Sequence, residues 1–345
     1  MSQELHGGDI YKKNIDMDFS VSINPCPLPE SVTDALHSAV KNIGKYPDLR
    51  CEKLINLLSE RYSVSNKNII AGNGSSELFM ALAHAFRLAK VLIPVPSFYG
   101  YEYAFSENSE KLIFYPLKEE DEFKISEDLF EELDKGYDFL ILANPNNPTG
   151  KLTGKETVEK IVKKCLEKNT KVLLDECFIE LSDENNSLIP ETEKYPNLFV
   201  VRSFTKTFAI PDLRIGYLVC SDEKAVEKVK KHIPEWSVSQ MAQDVACECM
   251  NSYSYVEESR RYIEKERCFL EEGLRGKGYK VFISDTNYIL FKNTGVTKDN
   301  LYKRMLDKKI LIRDCSNFRG LNEGFYRIAV KTREENERFL RLLNE

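Results

Sequence analysis

Phe139-Leu140-Ile141-Leu142-Ala143 runs straight into Asn144-Pro145-Asn146-Asn147-Pro148-Thr149-Gly150. The first five residues are apolar with no polar alternation, the pattern of a strand covered on both faces. Two prolines and a glycine then constrain the backbone at the strand's C-terminal end, where open α/β sheets place their ligands. A purely structural turn rarely needs seven such residues, so this loop is a strong candidate for a binding site.

Working outward, similar runs rich in Val, Ile and Leu occur at 68–71, 90–93, 171–174, 198–201 and 215–220. Amphipathic helical stretches such as 75–88 and 157–167 lie between them. The alternation predicts an α/β domain built on a mainly parallel sheet. Beyond Pro234 the texture changes. A long charged helix over 255–274 precedes short strands at 280–283, 288–291, 311–313 and 326–330, and a last helix covers 333–343. This predicts a smaller α+β domain. Pro25, Pro27 and Pro29 make the start of the chain read as an extended arm. The expected organisation is an N-terminal arm at 1–35, a large domain at 36–235 and a small domain at 236–345.

A chain of 345 residues is long for one hydrophobic core, in keeping with two domains. The net charge of −6, with bases interspersed among acids, disfavours nucleic-acid binding. No apolar run is long enough to span a bilayer, so no membrane partner is expected. Residues 1–9 lack the basic-then-apolar order of a signal peptide, which makes the cytoplasm the expected location. The nine cysteines are scattered and none forms a Cys-x-x-Cys pair. Only four histidines accompany them, so the thiols read as reduced and no metal site is expected.

Four more segments carry groups suited to chemistry. Gly72-Asn73-Gly74-Ser75-Ser76-Glu77 joins a strand to a helix, where the amides of the helix start can receive a phosphate. A serine-capped helix without a ligand fits these residues equally well, and the third glycine of a dinucleotide fingerprint is missing. Asp175 and Glu176 end an apolar run, where a carboxylate is either paired with a cation or solvated at the rim. Arg202-Ser203-Phe204-Thr205-Lys206 follows another such run, with Arg214 eight residues on. An arbitrary lysine is a surface residue, but these hydroxyls and arginines could hold both an imine and a phosphate. Arg313-Asp314-Cys315-Ser316-Asn317-Phe318-Arg319-Gly320, with Tyr326-Arg327 behind it, offers arginines for carboxylate or phosphate, or for surface ion pairs.

Taken in order, the glycine-rich loop, Asn147-Pro148-Thr149-Gly150, Asp175, the Ser203-to-Lys206 segment and Arg214 resemble the fold-type I aminotransferases, which use pyridoxal 5'-phosphate. The intervals between Asn147, Asp175, Lys206 and Arg214 look like those of the histidinol-phosphate aminotransferase branch. The resemblance covers nearly the whole chain. It implies a large domain with a mostly parallel seven-stranded sheet between helices, plus the smaller α+β domain. It implies that Lys206 holds the cofactor as an imine and shuttles protons, that Asp175 pairs with the pyridine nitrogen, and that Asn147 hydrogen-bonds the ring hydroxyl. Phe98 would stack on the ring, and Gly74, Ser75, Ser76, Ser203, Thr205 and Arg214 would surround the phosphate. Tyr46 would reach the phosphate of a second subunit, because these enzymes are homodimers with shared active sites.

Within that family, four segments are similar to the threonine-phosphate decarboxylases of cobalamin side-chain synthesis. They are His6-Gly7-Gly8-Asp9, Asp18-Phe19-Ser20 with Ile23-Asn24-Pro25, Trp236-Ser237-Val238, and the run from Ile312 to Val330. Phe178 agrees, since the aminotransferase branch usually carries a tyrosine there. The likeness implies a carboxy-lyase acting on a phosphorylated amino acid such as O-phospho-L-threonine or O-phosphoserine. His6, Asn24, Arg313, Arg319 and Arg327 are then candidate substrate contacts. The alternatives are an aminotransferase for histidinol phosphate or another amino acid, and a phosphate-binding module without Lys206 chemistry.

Overall fold

The computed structural model describes residues 7–11, 13–295 and 300–343, so His6 lies outside the described residues. The chain enters as β1 (Met17–Asp18). Seven strands then form the large sheet: β2 (Ile69–Gly72), β3 (Leu88–Val95), β4 (Ser109–Pro116), β5 (Phe139–Ala143), β6 (Lys171–Asp175), β7 (Leu198–Ser203) and β8 (Gly216–Val219). Their spatial order is β2-β8-β7-β6-β5-β3-β4. All neighbours are parallel except β8, which runs antiparallel to both β2 and β7.

The unbroken apolar runs have a direct cause. Leu140, Leu142, Val172, Leu174, Leu198 and Val200 point into one core, while Phe139, Ile141, Leu173, Phe199 and Val201 point into the other. Each such side chain, removed from water, contributes about 1.5–3 kcal/mol. Strand β4 was not expected from the sequence. It is an edge strand that opens on Ser109-Glu110-Lys111 and stays half-exposed, so it lacks the two-sided apolar signature.

The first core extends past residue 235. Helix Gln240–Asn251 packs on helices Glu30–Ala39 and Glu52–Tyr62 and buries Ala242, Val245 and Ala246 there. Helix Ser254–Gly276 then opens the second part of the molecule, with Ile263, Leu270 and Leu274 in a separate core. Its strands are β9 (Lys280–Val281), β10 (Tyr288–Lys292), β11 (Ile310–Leu311), β12 (Arg313–Asp314) and β13 (Phe325–Ala329). Four of them make an antiparallel sheet in the order β12-β13-β10-β9. The single strand expected at 311–313 is therefore two. β11 pairs in parallel with β1 of the arm, and β12 pairs with β13. Among the described residues no helix is long and apolar enough to cross a membrane.

The register positions the site. Ala143 lies opposite Asp175, and Asp175 opposite Val201. The Asn144 amide donates to the Asp175 carbonyl at 2.8 Å. The loop after β5, the acid ending β6 and the Ser203-to-Lys206 segment after β7 therefore emerge side by side.

Candidate active site

A cavity sits at those strand ends, walled by the small sheet and the N-terminal arm. Ser75, Ser76, Phe98, Asn147, Asp175, Ser203, Thr205, Lys206, Arg214, Arg313 and Arg327 all line it. The structure thus gathers residues spread over 250 positions or more of the sequence into one space.

At its base Asp175 is buried and doubly hydrogen-bonded. Tyr101 Oη donates to Oδ2 at 2.5 Å, and the Cys177 amide donates to Oδ1 at 2.9 Å. Burial pushes the Asp175 carboxyl above its usual range, while the donors from Cys177 and Tyr101 and the charge of Lys206 oppose that rise. The adjacent Glu176 turns the other way. It is fully buried against Arg202 at 3.0 Å and also accepts from Ser187 and the Leu188 amide. The two acids at the end of β6 have separate tasks, one facing the cavity and one holding the fold.

Ser203 caps the short helix Phe204–Thr207, accepting from the Thr205 amide at 3.3 Å, and this turn carries Lys206 to the cavity. The Lys206 amine is pushed down to about 8, chiefly by burial, with repulsion from Arg327 and Arg214 adding to it. Ser203 Oγ and Thr205 Oγ1 lie 2.8 Å apart on the wall that Arg214 shares. Gly74 has φ +74°, a conformation that favours glycine, and a Cβ there would stand 2.5 Å from Arg214 Nη2. A Cβ at Gly100 would meet the Phe98 ring at 2.2 Å.

On the opposite side two guanidiniums are buried. Arg327 donates from Nη1 to Asn147 Oδ1 and from Nη2 to the Ser20 carbonyl at 2.9 Å, while its Nε has no partner among the described residues. Burial holds the Arg327 pKa below the ordinary guanidinium value. Arg313 donates from Nη2 to Asn317 Oδ1 at 2.8 Å and lies 4.9 Å from the centre of the Phe318 ring.

Three of the expected site residues do not line this cavity. Arg319 lies outside the cavity: its Nη2 is 2.9 Å from Glu102 Oε1, and its guanidinium covers the Phe114 ring at 4.0 Å. Asn24 is buried, but its amide group donates to the Thr207 carbonyl and to Ser259 Oγ, both at 2.8 Å. Its backbone N–H reaches the Lys206 carbonyl at 3.0 Å, so it braces the lysine turn and does not line the cavity. Tyr46 is 83% exposed, beside Trp236 at 5.1 Å between ring centres, and is absent from the lining of its own chain's cavity. Sequence reasoning missed Tyr101 and Cys177. Only the spacing of Tyr101 three residues after Phe98, one helical turn on, could have hinted at the former.

An acid at one end, a lysine of lowered pKa, and a cradle of hydroxyls and arginine at the other suit a flat ring with a basic nitrogen, an electrophilic carbon and a phosphate. Comparison with known proteins agrees. The family described as Aminotransferase class I and II matches residues 14–343. The threonine-phosphate decarboxylase of Salmonella typhimurium is 31% identical over 328 residues, 95% of this chain and 90% of that one. The solved histidinol-phosphate aminotransferase from Clostridium acetobutylicum has a TM-score of 0.88 at 33% identity, covering 95% of this chain and 98% of that chain. L-threonine-O-3-phosphate decarboxylase from Porphyromonas gingivalis has a TM-score of 0.86 at 29% identity, with the same coverage. With that match along almost its whole length, and with a cavity built for the cofactor, the chain belongs to the class I and II aminotransferase family and works with pyridoxal 5'-phosphate.

Proposed function

We propose that the chain is a carboxy-lyase acting on a phosphorylated amino acid, O-phospho-L-threonine or O-phosphoserine, which would put it in cobalamin side-chain synthesis. The observation that carries this reading is the pair of buried arginines, Arg313 and Arg327, on one wall of the cavity. Such a substrate bears two anionic groups, a carboxylate and a phosphate, and two desolvated guanidiniums are their complement. The 31% identity to a threonine-phosphate decarboxylase supports the same substrate class. So does Phe178, a cavity-lining residue where the aminotransferase branch usually has a tyrosine.

When bound, pyridoxal phosphate supplies an electron sink for the charge left on the substrate's α-carbon. Gly74, Ser75, Ser76, Ser203, Thr205 and Arg214 would hold its phosphate, Phe98 its ring face and Asn147 its ring hydroxyl. Asp175 would keep a proton on its ring nitrogen. Arg327 grips the substrate carboxylate and Arg313 the phosphate, and the way these two anions are held decides which α-carbon bond is aligned for cleavage. As the bond to the carboxylate breaks, carbon dioxide departs, and Lys206 Nζ delivers the replacing proton to the α-carbon. Burial and the nearby Arg327 and Arg214 favour the neutral form of this amine, the form that can take up and return a proton.

The same reading makes the protein a cytoplasmic homodimer of two-domain subunits, with exposed Tyr46 reaching the second subunit's cofactor phosphate. A second reading, an aminotransferase for histidinol phosphate, has its support in the TM-score of 0.88 with the Clostridium acetobutylicum enzyme. Incubation with O-phosphothreonine separates the two: the lyase releases carbon dioxide and leaves 2-oxoglutarate unconsumed.

A further inference from the structure

The segment that follows β4 leaves its own sheet and docks into the small one. Leu117 and Phe123 are buried in a cluster with Phe282, Leu290, Cys315, Phe318 and Phe325. The Phe123 ring centre lies 5.1 Å from Phe282 and 6.2 Å from Phe325. A tight turn presents it: the Phe123 amide donates to the Lys118 carbonyl at 2.8 Å, and Glu122 and Phe123 have φ of +53° and +59°. Residues with side chains seldom adopt that conformation, and here two backbone hydrogen bonds and the burial of the ring accompany it.

Ion pairs close the contact from outside. Glu119 reaches Lys280 of β9 and Lys292 of β10, each at 2.8 Å, and Glu122 reaches Lys151 at 2.8 Å. The ammonium groups of Lys280 and Lys292 lie 5.0 and 4.5 Å from the ring centres of Phe282 and Phe325.

The same cluster carries the substrate wall. Phe318 lines the cavity beneath the Arg313 guanidinium, and Cys315 Sγ donates to the Arg313 carbonyl at 3.7 Å. The ring partners of Phe123 are Phe282 and Phe325, and the Phe325 carbonyl accepts from the Cys315 amide at 2.9 Å, so repacking around a void at Phe123 would shift Phe325 and, through Cys315, the strand that carries Arg313. We propose that residues 117–123 form an interdomain clasp whose inserted ring sets the height of Arg313 over the cavity, making Phe123 a positioning residue for the substrate's anion. The assignment rests on the reading of Arg313 as an anion-binding residue.

The test is a double-mutant cycle on the cofactor-loaded enzyme, with O-phospho-L-threonine as the probe. Phe123→Ala is expected to raise KM about tenfold, with kcat and the cofactor's absorbance band changing by less than about twofold. In an Arg313→Ala background, Phe123→Ala should raise KM no further, because the group through which it acts is gone. Glu119→Gln weakens the ion pairs to Lys280 and Lys292 without touching the buried cluster and should raise KM about threefold. If Phe123→Ala misfolds, Phe123→Leu and Glu119→Gln decide the matter. Unchanged KM in these variants, or effects of Phe123→Ala and Arg313→Ala that multiply, would overturn the clasp alone. A normal KM in Arg313→Ala overturns the reading of Arg313 beneath it. A wild type inert toward the probe overturns the proposed function and the assignment with it.

Discussion

Tyr101 donates its phenolic hydrogen bond to Oδ2 of Asp175 at 2.5 Å, at the base of the cavity that both residues line. Burial favours the neutral acid at Asp175, and Tyr101 is one of the groups that keeps the charged form available. A hydrogen bond to a charged group is worth about 1.5–3 kcal/mol. Tyr101→Phe should therefore lower kcat by about tenfold or more while the protein still binds pyridoxal phosphate. Steady-state kinetics beside a cofactor titration check this. A variant that loses cofactor and turnover equally would make Tyr101 a packing residue only.

Asp175→Ala takes the same argument further. It should abolish turnover more completely than it abolishes cofactor binding, because the phosphate cradle of Ser75, Ser203, Thr205 and Arg214 is untouched. Equal loss of both, measured by absorbance and activity on one preparation, would assign Asp175 a purely structural role.

Lys206 gives a pH dependence. Its folded pKa of about 8 lies below the ordinary 10.5, so the amine is protonated below about 8 and neutral above. Uptake of pyridoxal phosphate by the apoprotein needs the neutral amine, so its rate should climb with pH and level off above about 8. Between the two pKa values the unfolded chain binds the extra proton. The apoprotein's stability should therefore rise as pH goes from about 8 towards 10. Arg327→Met removes a repelling charge and should move the uptake midpoint upward. A downward shift would contradict the electrostatic account.

Much of this site was legible in the sequence because it lies where strands end. The run before Asn144 and those before Asp175 and Ser203 are apolar on both faces, and a strand buried that way advertises its C-terminal end. Direction did not show in the residues themselves; only the family resemblance singled out Asp175. Asp175 and Glu176 are chemically alike, and only the pleat sends one to the cavity and the other to Arg202. The positions of Arg319 and Asn24 away from the cavity lining did not show for a similar reason: Glu102 and the Thr207 carbonyl, which pair with them, are far away in sequence. Tyr101 was hidden because its partner is 74 residues on.

Arginines that look equivalent in sequence should separate in experiment. Arg327→Ala should raise KM by roughly a hundredfold, since it removes a buried group facing the cavity. Arg319→Ala breaks a half-exposed pair with Glu102 and should stay within about threefold. KM for O-phosphothreonine in the two variants decides it.

Arg202→Met tests the support behind Lys206. It would leave Glu176 buried without its cation, at a cost of about 3–5 kcal/mol. Chemical denaturation should show that loss of stability. Retention of wild-type stability would mean that Glu176 is carried neutral.

The most direct measurement for the central claim follows both products in one vessel. With O-phospho-L-threonine, cofactor and 2-oxoglutarate present, the expected result is carbon dioxide released with 2-oxoglutarate unchanged. Amino-group transfer to 2-oxoglutarate, with the substrate's carboxylate retained, would contradict it.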